Sequence, residues 1–239
     1  LLLKALYFPF CRLMGNEGKD IDAHRVKPKA LGNLIYAHLA ERRAVEEAAC
    51  DIKSVGIIED EVSQNVACLY EENPYPRWLS FHVPTPESRH NQIAKHFSKQ
   101  ELAFMDFPYK VLIGGAGTGQ QAIDAALGYG HKAALTAIDI SLSSLAYAKH
   151  MADRFKADNL CFVQCDILNS DLLDDVFDVI ECIGVLHHMD DPWRGWKVLV
   201  EKLRPGGLMK IGLYSRAARS NIASLRTDIQ AGGLNGDEQ

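Results

Sequence analysis

Val111-Leu112-Ile113-Gly114-Gly115-Ala116-Gly117-Thr118-Gly119 is the stretch on which the fold turns. A short apolar run reads as a buried strand, and the glycines that close it let the backbone bend sharply and let a ligand approach where a Cβ would intrude. Gln120-Gln121-Ala122-Ile123-Asp124-Ala125-Ala126-Leu127 follows with the composition of a helix. The unit is strand, glycine turn, helix.

The same unit recurs downstream. Ala134 to Ile138 reads as a second strand closed by Asp139, and a helix runs from about Leu142 through Lys149. Cys161 to Cys165 reads as a third strand ending at Asp166, and Phe177 to Cys182 as a fourth. A helix through Trp196 to Leu203 leads to a turn at Arg204-Pro205-Gly206-Gly207 and a fifth strand from Leu208 to Tyr214. Strands alternating with helices imply an α/β, doubly wound, mostly parallel sheet covered on both faces. In such sheets ligands bind beyond the carboxyl ends of the strands, so the residue that closes each strand carries the information.

The first strand closes in glycines. The second closes in Asp139, about 20 residues on, where a carboxylate can accept two hydrogen bonds from a ribose diol. The third closes in Asp166, whose carboxylate can accept from an exocyclic amine or cap the following turn. The fourth closes in Glu181-Cys182-Ile183-Gly184, while Asp178 begins that strand, at the end away from a ligand. The glycines are spaced G-x-G-x-G, not the G-x-G-x-x-G of a dinucleotide site, and no Lys follows as in a phosphate loop. A nicotinamide oxidoreductase is disfavoured on that spacing. A ligand without phosphates and carrying positive charge suits the glycines and the two acids.

These motifs resemble, in order from about 109 to 215, those of class I methyltransferases that use S-adenosyl-L-methionine (SAM). Val111 to Gly119 resembles their first motif, Ile138-Asp139-Ile140-Ser141 their ribose motif, Gln164-Cys165-Asp166-Ile167 their adenine motif, and Phe177 to Ile180 with Gly184 to Met189 their fourth. The resemblance implies a Rossmann-like fold and a SAM site built from Gly115, Ala116, Gly117, Gly119, Asp139, Ile140, Asp166, Ile167 and Cys182. Ala116 stands where the family has Cys or another small residue. The expected reaction is in-line transfer of a methyl group to an acceptor, small molecule or protein, that the chain does not identify. A SAM-binding sensor or scaffold without turnover is the alternative. His187 is the candidate general base, since imidazole titrates near neutral pH and, of two adjacent histidines, at most one faces a site.

The flanks are less regular. Residues 1 to 69 read as helical, with Leu31, Leu34, Ile35, His38 and Leu39 at helical spacing and Glu41-Arg42-Arg43 with Glu46-Glu47 on a solvated face. Residues 70 to 90 form a connector rich in proline and aromatics, with Tyr70, Tyr75, Arg77 and Trp78 able either to pin the linker or to cover the site. The domain proper is expected over 91–239. Both ends read as cut: the opening Leu1-Leu2-Leu3 as the middle of a helix, the close after a helix around Arg216 to Gln230, short of two further strands. Tyr70 to Trp78, Val185 to His188 and Ile211 to Ser215 resemble methyltransferase domains that follow tetratricopeptide repeats, which implies such repeats upstream.

Composition narrows the rest. An apolar content of 47% over 239 residues supports a real core, and a net charge of -5 argues against a nucleic-acid backbone as the main partner. The six cysteines, at 11, 50, 68, 161, 165 and 182, lack zinc spacing; they suit a reducing cytoplasm, and no metal is expected. No run reaches the roughly 18 to 20 apolar residues of a membrane span.

Overall fold

The computed structural model describes residues 27, 29–72, 74–76, 78, 80–215, 225, 228, 229, 231 and 232. Leu1 to Leu3, Cys11, Asn73, Arg77, nearly all of the helix expected over 216–230, and the side chains of Leu34, Ile35, His38 and Leu39 lie outside them. The chain order is α1 (Lys29–Cys50), β1 (Lys53–Ser54), α2 (Glu61–Glu72), α3 (Ser88–Ile93), β2 (Tyr109–Gly114), α4 (Gln120–Tyr129), β3 (Ala133–Asp139), α5 (Leu142–Phe155), β4 (Leu160–Gln164), β5 (Phe177–Ile183), α6 (Pro192–Glu201) and β6 (Leu203–Gly212). Short 3-10 turns cover Ala103–Asp106, Ile167–Leu172 and Leu186–His188.

The six strands form one sheet in the order β1-β4-β3-β2-β5-β6, and every pairing is parallel. The winding reverses at β2, so the crevice beyond its carboxyl end is where a ligand is expected. Alternation along β2 feeds two cores. Val111 and Ile113 face the layer of α4 and α5 with Ile123, Leu135 and Leu145, while Leu112 faces the other layer with Ile138, Ile180, Cys182 and Leu199 of α6.

Two differences from the sequence reading have clear causes. The segment before residue 69 is not wholly helical: Lys53 and Ser54 pair with Val163 and Gln164 and extend the sheet at its β4 edge. Val55 N donates to Gln164 O at 2.8 Å and Asn169 Nδ2 to Ile57 O at 2.8 Å, so the N-terminal segment is tied to that edge. A strand this short has no periodicity of its own, and its partner supplies it. Arg204 to Gly207, expected as a turn before the last strand, lies inside β6. Phe177 pairs with Leu203 and, two residues on, Val179 pairs with Leu208, so the ladder absorbs the extra residues as an irregularity. Pro205 has no N–H to give a ladder, and Gly206 takes φ 80° there.

Candidate active site

Gly115, Gly117 and Gly119 all take positive φ in the turn after β2. At Gly117 an added Cβ would meet nothing nearer than the Tyr75 carbonyl oxygen at 4.0 Å, so the bare backbone forms part of a cavity floor. Gly119 is different: an added Cβ would lie 2.4 Å from the Ala148 Cβ, so this glycine lets α4 start hard against α5.

Asp139 holds the turn from the neighbouring strand. Its Oδ2 accepts from Gly117 N at 2.7 Å and its Oδ1 from Ser141 N at 2.9 Å. Burial pushes this carboxyl above its ordinary value and the nearby Glu71 adds to the rise; N–H donation from Ser141, Gly117 and Ile140 opposes it. Asp166 ends the linker after β4, and its Oδ1 caps the next turn by accepting from Leu168 N at 2.9 Å. The capping role and a place at the cavity coexist, because one oxygen serves the turn.

The cavity, about 380 Å³, is lined by Gly115, Ala116, Gly117, Asp139, Ile140, Asp166 and Ile167, all foreseen from the strand ends. Three foreseen residues are not in the lining. Gly119 serves the helix contact just described. Cys182 is fully buried in the core below, because successive residues of β5 face opposite sides; burial pushes its thiol up to about 12. His187 is half-buried, its ring 3.9 Å from that of Tyr214 and 4.2 Å from that of His188, measured between centroids. The tight turn that sinks Leu186 into the core brings His188, not His187, to the cavity.

The rest of the lining comes from segments that no strand-end rule covers. Ser63, Val66 and Tyr70 of α2 and Tyr75 and Pro76 of the connector form one side. The connector is pinned over the turn: Thr118 Oγ1 donates to Pro76 O at 2.6 Å, Trp78 Nε1 donates to Thr118 O at 3.0 Å, and Tyr147 Oη donates to Trp78 O. Glu71 at the end of α2 accepts from Ser141 Oγ at 3.0 Å and from Ser143 Oγ at 2.7 Å, closing α2 onto the first turn of α5. The cluster of aromatics and prolines at 70–78 was the available signal, and both readings of it hold: it is pinned, and it lines the cavity. Cys165, Ile183, Gly184, Val185, Met189 and Tyr214 complete the wall with Gln120, Gln121 and Thr118.

Glu181 lies one bond behind that wall. It is 1% exposed, accepts from Gln121 Nε2 at 3.1 Å and Tyr129 Oη at 2.8 Å, and faces Arg89 Nη1 at 3.5 Å. Asp178, at the opposite end of β5, accepts from Lys110 N at 2.7 Å and pairs with Arg204 at 3.0 Å.

A family model described as a methyltransferase domain matches residues 108–231. The chain belongs to this methyltransferase family. The matched span opens just before β2 and takes in every strand from β2 to β6. An uncharacterized protein of Synechococcus sp. (strain ATCC 27144 / PCC 6301 / SAUG 1402/1) is 34% identical over 174 residues, which are 71% of this chain and 41% of that one. The chain thus spans well under half the length of that curated relative. Among solved structures, a SAM-dependent methyltransferase from Geobacter sulfurreducens in complex with S-adenosyl-L-homocysteine is 25% identical, covering 60% of this chain and 53% of its own, at a TM-score of 0.41. An arsenic(III) SAM methyltransferase from Chlamydomonas reinhardtii is 23% identical, covering 76% and 54%, at 0.43. Among the described residues no helix is long and apolar enough to cross a membrane, and no cluster of three or more metal-ligating side chains occurs.

Proposed function

We propose that this methyltransferase domain binds SAM in the cavity beyond β2 and transfers its methyl group in line to an acceptor. The observation that carries the reading is the convergence of the glycine turn, Asp139 and Asp166 on one cavity. The residues suit the ligand. Asp139 would accept from the ribose hydroxyls with lone pairs that Gly117 and Ser141 do not use, and Asp166 Oδ2 would accept from the adenine amine. No Lys or Arg is among the described lining residues, as suits a ligand with a sulfonium and no phosphate. The sulfonium supplies the activated methyl group. The protein's part is to hold the acceptor near roughly 3 to 3.5 Å from that carbon, in line and away from water.

The acceptor is a small molecule or a protein, and the cavity by itself does not rank the two. Calorimetry with S-adenosyl-L-homocysteine and with NAD tests the ligand: tight binding of the first and none of the second is expected, and the reverse overturns the proposal. Labelled methyl transfer into a lysate tests turnover; saturable binding without transfer is the behaviour of a sensor.

A further inference from the structure

The adenosyl reading uses the glycine turn and the two strand-end acids, and it leaves an aromatic part of the cavity unassigned. Tyr70, Tyr75 and Tyr214 line it from α2, from the connector and from the chain after β6, and His188 joins them after β5. The His188 ring meets the Tyr214 ring edge-on at 6.3 Å between centroids, and His187 lies tilted against both. Four separate segments thus bring aromatic residues to the lining of one cavity.

Resting on the SAM reading above, we infer that this collar receives an uncharged planar acceptor bearing a phenol-type hydroxyl, and that His188 takes the hydroxyl proton. Charge selects against the alternatives. Asp139 and Asp166 in the lining would repel a carboxylate or phosphate acceptor. Rings of Tyr and His offer edge and face contacts to another flat ring.

The base follows by elimination within the lining. In the SAM reading the acceptor capacity that Asp139 and Asp166 keep beyond their bonds to Gly117 N, Ser141 N and Leu168 N goes to the ribose and the adenine. The Cys165 thiol is pushed up to about 12 by burial and by Asp166 and Asp171, so it stays protonated. His188 remains: it lines the cavity, and its imidazole is exposed enough to pass a proton on to water. In the step, the hydroxyl oxygen forms its bond to the methyl carbon. The carbon–sulfur bond breaks with its electron pair going to sulfur, which becomes a neutral thioether. The O–H proton moves to His188 and then to solvent.

The experiment measures S-adenosyl-L-homocysteine affinity and labelled methyl transfer from SAM to phenol, 4-nitrophenol, 4-hydroxybenzoate and benzylamine, for the natural chain and for His188→Gln. Expected are transfer to phenol above 4-hydroxybenzoate and benzylamine, unchanged cofactor affinity in the variant, and a fall of about 100-fold in kcat with phenol. The fall in kcat with 4-nitrophenol, assayed at saturation above its own pKa, should be much smaller, since that acceptor needs no base; its charge beside Asp139 and Asp166 should appear as a raised KM instead. Failure of the natural chain to bind the cofactor analogue would sink the SAM reading and this inference with it. Binding followed by no transfer to phenol, by preference for the carboxylate or the amine, or by an equal loss with both phenols would sink this inference alone.

Discussion

Replacing Asp139 by Asn separates what this carboxylate does for the ligand from what it does for the turn. In the native protein it accepts from Gly117 N at 2.7 Å and Ser141 N at 2.9 Å through different oxygens. Asn keeps one oxygen and turns the other into a donor, so one of the two backbone bonds is lost, at about 1 kcal/mol. Burial, however, already works against the charged form, so removing the charge returns part of that cost. The net change in stability of the ligand-free protein should stay within about 1 kcal/mol, a Tm shift of roughly 2 to 4 °C at this size. Ligand binding should suffer far more. Two ribose hydroxyls each lose a bond to a charged acceptor, worth about 1.5 to 3 kcal/mol apiece, or roughly a hundred-fold to ten-thousand-fold in Kd together. Calorimetry with S-adenosyl-L-homocysteine and thermal unfolding of the free protein read the two effects apart. An affinity within three-fold of the native value would refute the assignment of Asp139 to the ribose. A collapse of the free protein would show that the carboxylate acts mainly on the turn.

The same carboxyl predicts opposite pH trends for binding and for stability. Its folded-state value is raised, so cofactor affinity should fall with acidification from above the ordinary carboxylate range, about 3.9, while its own contribution to the stability of the free protein should fall as pH rises through the raised value; the difference between native and Asp139→Asn titrations isolates both. Gly119→Ala should destabilise by about 2 to 4 kcal/mol, since the new Cβ strikes Ala148 and the residue sits at φ 85°. The double change with Ala148→Gly should recover only part of the steric share in urea unfolding, since the Ala148 Cα still lies 2.9 Å from the new Cβ, and none of the backbone share. Arg89→Met strands Glu181 and should cost about 3 kcal/mol or more, with Glu181→Gln in the same chain restoring a good part of it; additive losses would show the pair to be uncoupled.

What the sequence settled is what depends on neighbours along the chain. The Val111–Gly119 run, the acids closing β3 and β4, and the alternation of strands with helices are local patterns. In a parallel sheet of this winding they can converge only beyond the carboxyl ends, so seven of the nine foreseen ligand residues line the cavity. Rotation about a single element decided the remaining two and the histidine. Cys182 follows the two-residue period of β5 into the core, Gly119 spends its missing side chain on α5, and one step around a tight turn exchanges His187 for His188. Tertiary structure alone brought Ser63 and Tyr214 to the site and decided that Tyr70 and Tyr75, flagged by composition, line it, because each arrives by docking: α2 through Glu71 onto α5, the connector through Thr118 and Trp78, and Tyr214 against His187. Such contacts join residues some 40 to 70 positions apart in the two docked segments and leave no periodic trace in the chain.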